Sequence, residues 1–155
     1  MSGQTAKARP AKSATRYEDD LYSWVFEQVA LLRAGRLSEV DAINVAEELS
    51  DVGNEQLDKL ESAIAVLTQH LLKWDHQPQR RSRSWFATIR EQRRRIERVL
   101  KNNPGLKSKL DEAISGGYSD GRDRAFAETK LKFSVFPPAC PYTFGEMMTR
   151  VIEIE

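Results

Sequence analysis

Apolar residues recur along this chain at helical spacing from Tyr17 onward. Leu21, Val25, Val29 and Leu32 stand at i, i+4, i+8 and i+11, the stripe of a first helix. Asp19 and Asp20 lie in its first turn, Arg33 in its last, and Gly35 ends it. Ser38, with Asp41 three residues on, predicts the start of a second helix whose stripe is Ala42, Val45, Leu49 and Val52. Gly53 predicts a bend or a break. A long helix over about 54–75 follows, with Leu60, Ile64, Leu67, Leu71 and Trp74 on one face; at ~1.5 Å per residue it spans roughly 33 Å. Pro78 breaks it, and Ser82 or Ser84 caps a helix over 85–102 that carries Trp85, Phe86, Ile89, Ile96, Val99 and Leu100 on one side. Leu106 to about Lys130 predicts a last long helix with Leu110, Ile114, Gly117, Gly121 and Ala125 in line, a break at Gly116-Gly117 being the alternative. An extended Pro-rich loop at about 131–142 precedes a short helix, Phe144 to about Ile152, capped by Thr143. No segment alternates with the period of a strand. Short connections between long helices predict an all-α fold: an up-and-down antiparallel bundle of four to six helices, one domain over 17–155. Residues 1–16 are polar, small and basic, the composition of a disordered tail.

Composition adds exclusions. One cysteine rules out an intramolecular disulfide and a cysteine zinc site, and two histidines leave little for a His-rich metal centre. The longest apolar run, Ala63 to Leu67, is far short of the roughly 20 residues that cross a bilayer, so no membrane is expected. The 24 Lys and Arg nearly cancel the 23 Asp and Glu. The cancellation is not local: residues 17–72 carry 12 acids and 3 bases, a net of −9, whereas residues 73–101 carry 10 bases and 3 acids, a net of +7. Such blocks are either helices that neutralise one another or a face for an outside partner.

Polar residues on apolar stripes are the candidate chemistry. Arg93 lies among Ile89, Ile96 and Leu100, Glu128 on the side of Gly121 and Ala125, and Glu47 and Glu48 beside Ile43 and Val45. His70 stands at the edge of the face of Ala63, Val66, Leu67 and Trp74. Glu47, Glu48, His70, Arg93 and Glu128 are therefore a candidate polar core site, read either as a pocket inside a bundle or as an ion network that fixes helix register. Arg124, one turn before Glu128, is a local partner for it. No Glu-x-x-His or His-x-x-x-His spacing occurs, so no metal and no cofactor is expected. Arg90, Arg94, Arg98 and Lys101 repeat along one side of the helix opposite its apolar stripe and, with Arg83, form a candidate anion-binding face. Cys140 has no implied base, so no catalytic residue is assigned.

Several segments in this order resemble a known family: Leu31-Leu32-Arg33-Ala34-Gly35-Arg36, Ala46-Glu47-Glu48-Leu49, His70-Leu71-Leu72-Lys73-Trp74, Arg81-Ser82-Arg83-Ser84-Trp85, Glu128-Thr129, and Phe136-Pro137 with Cys140-Pro141-Tyr142. Between about Tyr17 and Thr143 the chain is similar to the bacterial domain of unknown function twenty-nine. The resemblance implies a small all-helical fold and no activity. The family pattern has Gly after Glu-Thr, where this chain has Lys130. The combined expectation is a cytoplasmic, non-enzymatic helical interaction module with a protein partner or a second copy of itself. The alternatives are a nucleic-acid-associated protein using the basic helix, and a ligand-binding or enzymatic pocket.

Overall fold

The computed structural model describes residues 14–154; residues 1–13 of the expected tail lie outside them. The fold is all-α: α1 (Leu21–Arg33), α2 (Ala42–His76), α3 (Arg83–Asn102), α4 (Leu110–Glu128) and α5 (Phe144–Thr149), with no strand among the described residues. The chain divides into two compact units, one ending at Asp51 and one beginning at Val52.

In the first unit the Asp20 carboxylate accepts the Ser23 N–H at 3.0 Å and opens α1. Gly35 ends the turn at φ +68°, a conformation that a side chain disfavours. The expected stripe of α1 is not the buried face. Trp24 and Gln28 are buried, whereas Leu21 and Leu32 are exposed. The reason is polar: Gln28 Oε1 accepts the Asp41 N–H at 2.8 Å, and the Tyr17 hydroxyl donates to Glu48 at 2.6 Å. Tyr17 also meets Trp24 edge-on at 4.9 Å. In a helix apolar nearly all round, these anchors choose the face. The second helix starts at Ala42 rather than Ser38, because Leu37–Glu39 forms a 3₁₀ turn and Asp41 supplies the cap, accepting the Asn44 N–H at 3.3 Å. Its expected stripe is largely uncovered, with Ala42, Leu49 and Val52 exposed. Gly53 does not break the helix; α2 runs unbroken for 35 residues.

The second unit holds the core. Leu60, Ile64, Leu67, Leu71 and Trp74 of α2 pack with Ile89 and Ile96 of α3 and with Ala113, Met147 and Ile152. Ser82 caps α3, accepting the Trp85 N–H at 3.2 Å. The pair Gly116-Gly117 is a contact, not a break. A Cβ on Gly117 would lie 2.8 Å from the Glu61 carbonyl oxygen, and one on Gly121 would run into the Thr68 hydroxyl and lie 2.6 Å from the Ala65 carbonyl oxygen. Later residues of α4 thus meet later residues of α2, so these two helices run in the same direction and α3 returns the chain between them. Past α4, Thr129 is extended and Lys130 turns the chain without a positive φ, so the family's glycine is not needed there. Phe136 is fully buried, and the Thr143–Glu146 capping box opens α5.

Candidate functional site

One polar cluster of the second unit centres on Lys73. This lysine is only 6% exposed. Its ammonium donates to the Glu128 carboxylate at 2.6 Å and lies 4.4 Å from the centre of the Trp85 ring. The hydrogen bond from Lys73 holds the Glu128 carboxyl below its usual range. His70 stands one turn earlier. Its Nδ1 is 2.8 Å from the Val66 carbonyl, which fixes that nitrogen as the donor. Burial pushes the imidazole below its ordinary value, against the pull of that carbonyl. Of the five predicted core positions, His70 and Glu128 are therefore brought together, with Lys73 between them. Glu128 pairs across to α2, and Arg124 takes no part in that pair.

The others stand apart. Arg93 is half-buried; its Nε donates to the Met147 carbonyl at 2.7 Å, and its buried Nη2 has no hydrogen-bond partner. Burial and the nearby Arg150 lower its basicity. Glu47 and Glu48 belong to the first unit, Glu47 exposed and Glu48 half-buried under the Tyr17 hydroxyl. A second polar anchor was not legible from the spacing: Arg150 clamps Asp75 with bonds of 2.5 and 3.0 Å, and the Tyr142 hydroxyl donates to the same carboxylate at 2.7 Å. Burial raises the Asp75 carboxyl, and the bonds from Arg150 and Tyr142 outweigh that and lower it. Lys73 was also missed, although it is the one lysine in the nearly continuous buried run from Ala63 to Trp74. Cys140 donates its thiol to the Tyr142 carbonyl at 3.4 Å, and burial pushes that thiol up, away from a reactive thiolate.

Two surfaces remain. Arg83, Arg90, Arg94, Arg98 and Lys101 are all exposed along α3, and none is ion-paired among the described residues. At the C-terminal end of α3 a groove of about 460 Å³ has an apolar lining of Leu100, Pro104, Phe144 and Met148, with Lys101, Lys107 and Glu97 completing it. The first unit presents the other surface: Tyr22 is 75% exposed, Phe26 57%, Ile43 79% and Leu49 66%. Tyr22 and Phe26 sit one turn apart with ring centres 4.9 Å from each other.

Fold and surfaces together define an all-helical domain that pairs Lys73 with Glu128 and Arg150 with Asp75 and leaves large apolar side chains in solvent. The family model described as Domain of unknown function DUF29 matches residues 16–151, and the chain belongs to that family. Comparison with curated proteins and with solved structures gives no match. No helix among the described residues is long and apolar enough to cross a membrane.

Proposed function

We propose that this protein is a cytoplasmic, non-enzymatic helical interaction module, and that its working surface is the apolar side of the first unit. One observation carries the reading: α1 has 13 residues and buries two of them, while Tyr22, Phe26, Ile43 and Leu49 stay in solvent. Single exposed apolar residues are ordinary, but four large ones on a unit whose described residues bury only Trp24 and Gln28, two of the four being adjoining rings, mark a surface that another molecule covers. Burying one such side chain is worth about 1.5–3 kcal/mol, so a few of them suffice to drive association. The patch of His70, Lys73 and Glu128 fits a structural role, because its ammonium is held by a carboxylate and an aromatic face. A photo-crosslinking residue at position 22, introduced in living cells, tests the reading. A discrete adduct of higher mass is expected, and Phe26→Glu should abolish it. Recovery of the chain without any adduct rejects the proposal.

A second reading, nucleic-acid binding, is favoured by the unpaired cations Arg83, Arg90, Arg94, Arg98 and Lys101 on one helix. Binding through them would fall steeply with salt. Arg90→Glu with Arg94→Glu should remove it, and unchanged retention on a nucleic-acid matrix would reject this reading.

A further inference from the structure

Resting on the interaction-module reading, we propose that the occupant of the first unit's apolar surface is a second copy of this chain. Each copy places an apolar side chain of its first unit in the other copy's groove between α3 and α5, giving a reciprocal two-fold dimer.

Charge decides between the ways two copies can meet. Residues 17–51 carry nine carboxylates and two arginines, a net of −7, which the four bases of residues 1–16 reduce to −3 over the whole first unit, so placing two first units face to face still opposes like charges. Residues 83–102 of α3 carry seven bases and two acids, a net of +5. Neither surplus is neutralised by ion pairs at the positions that matter: Glu47 and Asp51 are exposed without one, and so are Arg94, Arg98, Lys101 and Lys107. Shape chemistry agrees with charge. The groove offers Leu100, Pro104, Phe144 and Met148 as an apolar floor with two lysines beside it, and Glu97 is the one carboxylate in its lining. An apolar side chain such as Ile43, with Glu47 one turn and Asp51 two turns further along the same side of α2, supplies the matching pattern. In a two-fold dimer this contact occurs twice, so each copy covers its apolar surface and satisfies its basic groove at once.

Sedimentation equilibrium of the full chain tests this. The wild type should be a dimer that weakens as salt rises. Glu47→Lys with Asp51→Lys, and separately Lys101→Glu with Lys107→Glu, should each weaken the dimer by about tenfold or more while circular dichroism stays unchanged. All four sites are exposed. Mixing the two reversed proteins should restore a dimer, because both contacts of the mixed pair again join opposite charges. Ile43→Ser, which leaves the charge unaltered, should weaken the wild-type dimer as well. A wild-type chain that is monomeric at every concentration overturns the proposal. So does a dimer indifferent to both reversals, or a mixture that fails to reassemble, as it would if the attraction acted within one chain or served nucleic acid. A monomer that still gives a position-22 adduct with a different protein overturns the second-copy proposal and leaves the interaction-module reading standing. A monomer with no adduct overturns both.

Discussion

Lys73 carries a positive charge into the most apolar stretch of the chain, and Glu128 is what makes that tolerable. The side chain of Lys73 is 8% exposed and that of Glu128 52%, so the two ends of the pair are not equivalent. Glu128→Gln leaves a buried ammonium without its counter-charge and should cost about 1–3 kcal/mol, less than a fully buried pair because water reaches the carboxylate side. Lys73→Met removes the charge and keeps the stem and should cost less; urea unfolding at neutral pH ranks the two. Acid should act in two windows. His70 has its folded value below the ordinary 6.5, so the unfolded chain takes up the proton first, and its contribution is whole above 6.5 and lost as pH falls through the lower folded value. Glu128, depressed below 4.5, behaves alike in a later window. His70→Gln should flatten the earlier decline of the urea midpoint and Glu128→Gln the later one. If neither substitution alters the pH profile, these assignments are wrong. The inward edge of His70 and the burial of Arg93 were legible in helical spacing. Lys73 was not, because hydropathy places lysine in water and its partner lies 55 residues away in sequence.

Glycine shows how far an element can be read from its own sequence. Gly53 and the pair Gly116-Gly117 look alike as helix breakers, yet both helices continue, and only tertiary contact distinguishes them. A Cβ on Gly53 meets nothing within 4 Å, whereas one on Gly121 meets Thr68 and the α2 backbone. Gly53→Ala should therefore stabilise the protein by about 0.5–1 kcal/mol, and Gly121→Ala should destabilise it by about 1–3 kcal/mol. Thermal melts of the two variants should shift in opposite directions. Along α2, the eleven buried residues all fall between Leu60 and Trp74. Amide exchange should then be fast over 42–52 and slow over 60–74 within one continuous helix. Uniform protection along α2 would contradict the uneven burial. Helix positions followed from periodicity, but the first turn of α2 did not: Ser38 and Asp41 are both good caps, and the Asn44 contact selects the second.

At the scale of the molecule, neutrality conceals a division of labour. A net charge of +1 arises from an acidic first unit and a basic α3, and the apolar residues are divided as unevenly as the charges. The second unit owns the core, and the first has little beyond Trp24 and Gln28 buried. Past residue 16, brief trypsin treatment should cut first at Arg36, in the exposed connection between α1 and α2, and only later at the arginines of α3, which are more numerous but held in a packed helix. Simultaneous cleavage at both places would mean that the two units open together. The all-helical class could be read from spacing alone, whereas the uncovered side of the first unit could not, since an apolar stripe looks the same whether its cover lies in the same chain or in another. The placement of the three tryptophans turns this division into something optical. Trp24 belongs to the first unit, and Trp74 and Trp85 to the second. Trp24→Phe leaves emission from the second unit alone, and subtracting its spectrum from that of the natural chain isolates a single buried fluorophore that reports whether the first unit stays folded or opens.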